Sequence, residues 1–376
     1  MAVSAEDWAL VAKYSQDARF GANIQRLMAC KQLYPDNLAC KHFSLVYFDS
    51  LGDAEKQALM AVVNSGIQNP DSGVGCYAMQ PADYDRFKPF FSKVLADYHK
   101  VAEDAKHVND WQLGGEPLDL TKLGLSDISM RVRVGRNLAE FPLPGAMSAA
   151  QRTEMEQKLS SLVFNKLIEK PEYGGKYYSL TPGHPNHITD EEYNKLVADH
   201  LMFKDMSDDL YLATAGIASN WPTGRGCYIS ADRSFIVWVG EEDHLRIMCM
   251  LKGTVLNTIF DRLKSGLDFI NNLLSFVVSP DYGFVTSCPS NLGTGMRASV
   301  HVKCPKLTVG GSDAKCKAVC KPLGLSVRGT GGEHTAVGAD GTVDISPSAR
   351  FLIKEKEIIS ALYQGIEKLQ IEESKA

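Results

Sequence analysis

The sequence lacks several features that would place it in a specialised class of protein. No stretch approaches the roughly 18 uncharged apolar residues that a membrane-spanning helix needs. There is no excess of positive charge, because 40 basic and 45 acidic side chains give a net charge of -5, which argues against a nucleic-acid binder acting through bulk charge. The first residues show neither the basic nor the apolar segment of a secretory signal peptide. We therefore expect a cytoplasmic protein without a nucleic-acid or membrane partner.

Cysteine frameworks and nucleotide-loop motifs are also missing. Nine cysteines are scattered from Cys30 to Cys320, an odd number without the dense spacing of a secreted disulfide framework, so we expect reduced thiols. Cys316 and Cys320 lie one helical turn apart, but no second pair near them completes a zinc site. The G-x-x-x-x-G-K-S/T sequence of a P-loop is absent. With 44% hydrophobic and 23% charged residues, the composition is that of an ordinary folded protein.

The spacing of hydrophobic residues differs between the first and the second part of the chain. From residue 1 to about 105 the pattern is mostly helical, and it is clearest from Ala82 to about Ala102. Residues 107–126 are rich in glycine and contain a proline, which predicts a linker. Beyond it the period becomes two, without a regular alternation of strands and helices. We predict an α+β protein with a small all-α N-terminal domain (1–106), a linker (107–126) and a larger domain (127–376) that has an antiparallel β-sheet flanked by helices.

Individual elements of the larger domain can also be predicted. From Ile128 to Val134 apolar residues alternate with polar ones, which is typical of a strand with one buried face. The continuous apolar run Phe235–Val239 predicts a strand buried on both faces, with residues 227–230 as its hairpin partner. Helical patterns predict long helices over Ile247 to about Leu274 and Ser348 to about Ile371.

A set of arginines indicates an anion with several charged oxygens. The five candidates are Arg131, Arg133, Arg246, Arg297 and Arg328. Arg131 and Arg133 share the polar face of one predicted strand, and Arg297 shares a face of another with His301. The planar guanidinium binds phosphate through two parallel hydrogen bonds and keeps its charge. A surface ion pair could explain any one of them, but the set favours a phosphate-rich ligand.

A cysteine and two acidic segments complete the candidate chemistry. Cys288 stands at the edge of a glycine-bearing loop, where backbone donors and the Ser290 hydroxyl would favour a thiolate, although a buried inert cysteine fits the position equally well. Residues 241–243 are three consecutive acids after Gly240, and Glu333 follows two glycines. Carboxylates that face one another suit a cationic substrate or a magnesium site, whereas three acids in a row also fit a solvated turn.

Together these motifs resemble the phosphagen (guanidino) kinases, and among those most closely the arginine kinases. The matching segments occur in the family's order at Arg131–Arg133, Trp221–Gly226, Glu241–Arg246 and Cys288–Arg297, the last resembling the family's reactive-cysteine signature. The resemblance implies an ATP:guanidino phosphotransferase that binds ATP between the two domains. It would transfer the γ-phosphoryl group reversibly to L-arginine and so buffer ATP.

The resemblance also implies roles for individual residues. The five arginines would clamp the phosphates of ATP or ADP, and His200 and His301 would lie by the adenine and ribose. Magnesium (Mg²⁺) would bridge phosphate oxygens, without a direct protein ligand. Glu242 and Glu333 would grip the guanidinium group, and the Cys288 thiolate would add a negative contact to the substrate cation.

Acceptor choice depends on a smaller set of residues. Ser72, Gly73, Val74 and Tyr77 belong to a segment that resembles the arginine kinase specificity loop, and they would hold the carboxylate and amine of the amino acid. Their pattern favours L-arginine, with taurocyamine or another guanidino compound as the alternative acceptor. A catalytically silent nucleotide-binding scaffold is a second alternative, and a monomer and a homodimer both remain open.

One departure from the family pattern concerns the contact between the domains. Many arginine kinases have an arginine that binds the residue matching Asp71, and here the corresponding region carries the acidic run Asp205, Asp208 and Asp209. The usual contact is therefore expected to be missing.

Overall fold

The computed structural model describes residues 4–126, 128–330 and 336–376. Its first hundred residues form helices: α1 (Ala5–Ser15), α2 (Gly21–Leu33), α3 (Leu38–His42), α4 (Leu45–Ser50), α5 (Asp53–Gln68), α6 (Asp83–Arg86) and α7 (Lys88–His99). Short polar side chains begin several of them. Ser4, Asn37 and Ser44 each accept a hydrogen bond from a backbone N–H of the first turn, which the helix itself cannot satisfy.

The larger region is built on one sheet. Its elements are β1 (Ile128–Arg136), α8 (Ala149–Lys158), α9 (Asn165–Ile168), β2 (Gly175–Ser179), α10 (Asp190–Ala198), α11 (Leu210–Thr214), β3 (Gly226–Ser230), β4 (Phe235–Val239), β5 (Leu245–Gly253), α12 (Leu256–Asn271), β6 (Val278–Ser279), β7 (Gly283–Phe284), β8 (Met296–Lys303), α13 (Ala314–Cys320), β9 (Leu325–Arg328), β10 (Thr342–Pro347) and α14 (Glu355–Lys375). Over the described residues the sheet has eight antiparallel strands in the order β2-β3-β4-β5-β1-β8-β10-β9. Strands β6 and β7 form a separate ribbon.

The two faces of this sheet differ in polarity. Met130, Val132 and Val134 of β1 belong to the core beneath α12 and α14, together with apolar residues of β5, β8 and β10. On the other face, residues of β3, β4 and β5 pack against the segment that carries α10 and α11. The remaining part of that face, around β1 and β8, carries the polar residues of both strands.

Most of the predicted architecture is confirmed. The antiparallel sheet, its flanking helices, the helical N-terminal region and the hairpin of β3 with the fully buried β4 are all present. The helix predicted from Ile247 is wrong in its first part, because residues 245–253 form β5. Met248 and Met250 are apolar and face opposite to Ile247 and Cys249, so the strand alternation is hidden in the sequence. The last helix begins at Glu355, after Pro347 and an irregular segment.

The helical region has a core to which the larger region contributes. Tyr282, Val285, Leu292 and Phe351 pack with the buried residues of α2 to α7. The backbone N–H of His107 also bonds a carbonyl of the larger region at 2.9 Å. This part of the larger region is thereby held against the helical region.

A polar contact joins the segment after α5 to α11 across the two regions. The Tyr211 hydroxyl donates to the Asp71 carboxylate at 2.8 Å, so Asp71 has a partner different from the arginine of many arginine kinases. Asn69 makes a second contact, since its buried amide donates to the Thr214 hydroxyl at 2.8 Å and to the Leu210 carbonyl at 3.4 Å. A tyrosine and an asparagine are thus among the residues that join the two regions here.

Of these two contacts, we expect the buried one to contribute more to stability. Asn69→Ala should lower the free energy of unfolding by about 1–3 kcal/mol, because it removes the hydrogen bonds that the buried Asn69 amide donates. Tyr211→Phe should lower it by less than about 1 kcal/mol, because the Asp71 pair is exposed to water. Urea unfolding of both variants measures the difference. Equal losses would contradict this ranking.

Candidate active site

The arginines predicted to bind an anion share one face of the sheet. Arg133 of β1 lies directly opposite Arg297 of β8, and Arg131 lies two positions before Arg133. On the other side of β1, Arg246 of β5 pairs with Gly135, again two positions along the same face. Four side chains from three strands therefore converge, as the alternation in β1 and β8 had predicted.

Strand β10 brings two more predicted residues to this face. Asp344 lies opposite His301 of β8 and also opposite Arg328, the last residue of β9. Arg131, Arg133, Arg246, Arg297 and Arg328 are called the arginine floor below.

The close approach of like charges is visible in the pKa values. Burial lowers the pKa of Arg131 to about 10, and the charges of Arg246 and Arg297 add to the shift. The pKa of Arg133 is lowered well below its usual value, first by burial and then by the same neighbours together with Arg131. An anion placed over these guanidinium groups would relieve both effects.

A cavity of about 290 Å³ opens over the floor. Its lining residues are Ser129, Arg131, Arg133, Asp199, His200, Met250, Arg297, Ser299, His301, Thr330 and Asp344. It therefore brings both predicted histidines together with three of the five floor arginines. His200 reaches the cavity from the end of α10, where its backbone takes a positive φ of 59°.

Arg297 and Arg246 of the floor each form ion pairs with carboxylates. Arg297 donates to Asp344 at 2.7 Å, and Asp344 also lies 3.6 Å from His301. Arg246 binds Glu241 at 2.8 Å and Glu242 at 3.4 Å. These pairs fix the guanidinium groups before any ligand arrives, which lowers the entropic cost of binding an anion.

Glu242 is poised to titrate near neutral pH. Burial raises its pKa to about 7, the neighbouring Glu241 and Asp243 charges add to the rise, and Arg246 opposes it. Asn291 donates to one Glu242 oxygen at 3.3 Å. A desolvated carboxylate of this kind gains most from a cation, and a guanidinium group is the cation whose geometry fits it.

Cys288 lies close enough to Glu242 to feel its charge. Burial raises the pKa of the thiol, and Glu242 raises it further, whereas the Ser290 hydroxyl at 3.0 Å from Sγ acts in the opposite direction. The geometry without a bound cation therefore opposes the predicted thiolate and favours the neutral thiol. A guanidinium group between Glu242 and Cys288 would lower both pKa values.

The predicted specificity loop is anchored by its carbonyls. Gly73 and Val74 accept hydrogen bonds from the first residues of α3, Leu38 and Ala39, both at 2.9 Å. Within the described residues no acceptor pairs with the backbone N–H of Gly73 or of Val74. The Ser72 hydroxyl is buried and likewise has no partner there. The loop can therefore offer donors to a carboxylate.

Hydrogen bonds connect the specificity loop to the cysteine segment. The Ala78 N–H donates to the Ser287 carbonyl at 2.8 Å, and the Tyr84 hydroxyl donates to the Thr286 carbonyl at 2.9 Å. Tyr77 lies within the electrostatic range of both Cys288 and Glu242, and burial raises the pKa of its phenol, which stays a neutral donor. Tyr77, Glu242 and Cys288 thus lie near one another.

Sequence reasoning missed three residues of the site. Asp344 pairs with Arg297, Asn291 contacts Glu242, and Arg350 lines a narrow space together with Arg133, Arg246 and Arg297. Burial lowers the pKa of Arg350 to about 10, with the Arg297 charge as the next cause. Asp344 could have been found from the alternation within β10, but Arg350 follows that strand in an irregular segment with no pattern. The predicted Glu333 lies outside the described residues.

Two family profiles match this chain, and arginine kinases are similar to it over most of its length. Residues 154–376 match the profile of the ATP:guanido phosphotransferase C-terminal catalytic domain, and residues 36–96 match that of its N-terminal domain. The arginine kinase of Limulus polyphemus is 37% identical over 360 residues, which cover 94% of this chain and 96% of that protein. The arginine kinase of Liolophura japonica is 37% identical over 345 residues, or 89% and 93% of the two chains.

Solved structures with other acceptors in their names are also similar. The duplicated taurocyamine kinase of Schistosoma mansoni, solved with bound transition-state-analogue components, has a TM-score of 0.79 and 32% identity over 94% of this chain. This chain spans about half of that protein, 48% of its length. A lombricine kinase has a TM-score of 0.79 and 27% identity, over 90% of this chain and 92% of the other.

Proposed function

This chain belongs to the ATP:guanido phosphotransferase family, and we propose that within it the protein phosphorylates L-arginine. The observation that carries the proposal is the arrangement of opposite charges at one sheet face. The arginine floor would hold the phosphates, and Glu242 and Cys288 would hold the guanidinium group beside them. The specificity loop contributes the N–H groups of Gly73 and Val74, which have no acceptor among the described residues and suit an amino-acid carboxylate.

The proposed reaction is direct in-line transfer of the γ-phosphoryl group to a guanidinium nitrogen. Arg131, Arg133 and Arg297 neutralise the oxygens of the transferring group, so the protein acts by alignment and charge stabilisation. Glu242 orients the acceptor, and Cys288 supplies an electrostatic contact without a covalent intermediate. Glu333 is proposed as the second carboxylate on the acceptor, by its match to the family motif alone.

We propose that Mg²⁺ arrives with the nucleotide. The cavity over the floor is lined by three arginines, whose charge disfavours a free divalent cation at that place. An ion bound to phosphate oxygens and water carries its own negative ligands. His200 and His301 line the same cavity and are proposed to contact the adenine and ribose.

The cellular setting and domain division are also proposals. All nine cysteines are free and buried, as is typical of proteins in a reducing compartment, and this supports a cytoplasmic site of action. None of the described helices is long and apolar enough to cross a membrane. We propose residues 1–106 as the acceptor-binding domain and residues 127–376 as the nucleotide-binding domain.

The deciding experiment is an acceptor panel. Release of ADP from MgATP should occur with L-arginine and fall at least about tenfold with taurocyamine, lombricine or creatine at equal concentration. A preference for taurocyamine would retain the phosphotransferase and overturn the acceptor, an outcome that the similar taurocyamine kinase structure makes worth testing. Nucleotide binding without turnover on any acceptor would overturn the catalytic assignment.

A further inference from the structure

A second, smaller cavity lies beneath the other end of β1, on α12. It measures about 150 Å³ and is lined in part by Trp111, Phe276 and Phe284. Lys264 and Asp268 of α12 stand at its exposed rim, where they form an ion pair with each other. None of the residues assigned to nucleotide or acceptor lines it.

The distinctive group in this cavity is Arg136, the last residue of β1. Its side chain is only 1% exposed, and its guanidinium carbon lies 3.5 Å from the centroid of the Phe284 ring. One nitrogen, Nη1, donates to the carbonyls of Gly135 and Thr294 at 2.7 and 2.8 Å. The other two, Nε and Nη2, have no hydrogen-bond partner among the described residues.

Nearby carboxylates do not satisfy these two nitrogens. Glu355 is fully buried close to Arg136, but its two oxygens accept from the Asn109 side chain and the Asp110 N–H, both at 2.7 Å. Burial lowers the pKa of Arg136 to about 9, with Glu355 acting against the shift. A buried guanidinium edge without acceptors is costly, and Nε with Nη2 is an edge that binds a carboxylate through two parallel hydrogen bonds.

The rest of the cavity specifies the body of such a ligand. The apolar lining of the cavity consists of Trp111, Leu267, Phe276 and Phe284, and a volume of about 150 Å³ is enough to accept a benzene ring. Trp111 is held by stacking on Phe260 with 5.0 Å between ring centroids, so this wall is rigid. We propose that the cavity is a binding site for a small aromatic carboxylate, which pairs with Arg136 and places its ring between Trp111 and Phe276.

Such a ligand would bind next to the segment that runs from Cys288 to Arg297. Thr294, whose carbonyl holds Nη1 of Arg136, lies between Cys288 and Arg297 in the chain. The Arg136 guanidinium would therefore contact both the ligand and the segment that contains Cys288 and Arg297. The ligand itself would lie outside the nucleotide cavity.

The test is titration of the full chain with sodium benzoate by isothermal calorimetry at constant ionic strength. We expect saturable 1:1 binding with a Kd of about 1 mM or lower, and at least about tenfold weaker binding of the neutral benzyl alcohol. Saturating ADP should leave the benzoate Kd within about threefold. Displacement by ADP would overturn the proposal, because it would place benzoate on the arginine floor, and so would equal binding of benzyl alcohol.

Rim variants test the location without disturbing the buried arginine. Lys264→Met should weaken benzoate binding about threefold, because a cation near the carboxylate is lost. Asp268→Asn should strengthen it about threefold, because a repelling charge is lost and Lys264 is released. Arg136→Met should abolish binding where melting shows that the variant folds. Unchanged binding in both rim variants would refute the assignment of the site.

Discussion

Replacing Arg133 with methionine is expected to lower kcat/KM by about 100- to 1000-fold and at the same time to raise the melting temperature of the substrate-free protein. The loss follows because a preorganised cation at the transferring phosphoryl group contributes about 3–4 kcal/mol to transition-state stabilisation. The gain follows because Arg133 is desolvated, lies opposite Arg297, and has no carboxylate of the described residues within ion-pair distance.

Arg297 provides the matched control. It belongs to the same floor, but its guanidinium is bound to the buried Asp344 carboxylate at 2.7 Å. Arg297→Met should therefore lose similar activity and lower the melting temperature, since it leaves Asp344 without its partner. Steady-state kinetics and thermal unfolding of the two variants separate the effects. A lower melting temperature for Arg133→Met would show that repulsion between Arg133 and the neighbouring arginines does not destabilise the substrate-free protein.

Replacing Glu242 with glutamine is expected to lower kcat/KM for the guanidino substrate by about 100-fold, with the KM for ATP unchanged within about threefold. The amide keeps the shape of the side chain but loses the charge that pairs with a guanidinium group, and charge-assisted hydrogen bonds of this kind contribute roughly 1.5–3 kcal/mol each. Initial rates with each substrate varied in turn measure the two constants. Comparable losses for both substrates would place Glu242 at the phosphates.

Glu242→Gln should also change the pH dependence of kcat/KM for the guanidino substrate. With a pKa of about 7 in the free enzyme, the Glu242 carboxylate is progressively protonated as the pH falls. In the wild-type protein kcat/KM for the guanidine should thus fall about tenfold per pH unit below 7, and Glu242→Gln should lose this dependence. A slope that persists in the variant would assign the titration to another group.

The protonation of the Glu242 carboxyl group should also affect the stability of the protein. Its pKa rises on folding from an ordinary value of 4.5, so the folded state binds the proton more tightly than the unfolded state. The stabilisation of the folded state by this tighter proton binding is complete below pH 4.5 and is lost as the pH rises through 7. At pH 8 Glu242→Gln should therefore be more stable than the wild-type protein, whereas Glu241→Gln, whose carboxylate pairs with Arg246 at 2.8 Å, should not be.

Much of the fold could be predicted because its signals are local. The alternation in β1 already separates Met130, Val132 and Val134 from the two arginines, and the structure places these groups on opposite faces. The prediction failed at the first part of the helix expected from Ile247, where the structure has β5. The sequence of β5 lacks a visible strand alternation because Met248 packs in a second core on the face opposite Ile247, and a linear pattern cannot distinguish two cores from one.

The site was only partly predictable for a related reason. Residue types and spacing identified Arg131, Arg133 and Arg297, because side-chain alternation within a strand is set by the backbone. The carboxylate partner of Arg297 depends on the pairing of β8 with β10, which joins segments about 40 residues apart along the chain. The same pairing decides that Asp344 belongs to the site.

By itself, then, the sequence determined the secondary-structure pattern, the family motifs and the chemical type of the ligand, since periodicity and side-chain chemistry are properties of short segments. Only the tertiary structure shows that burial raises the pKa values of Glu242 and Cys288, that Arg133 lies opposite Arg297, and that Nε and Nη2 of Arg136 have no partner among the described residues. Each of these depends on burial and on charges brought together from distant segments, and desolvation exists only once the chain has folded.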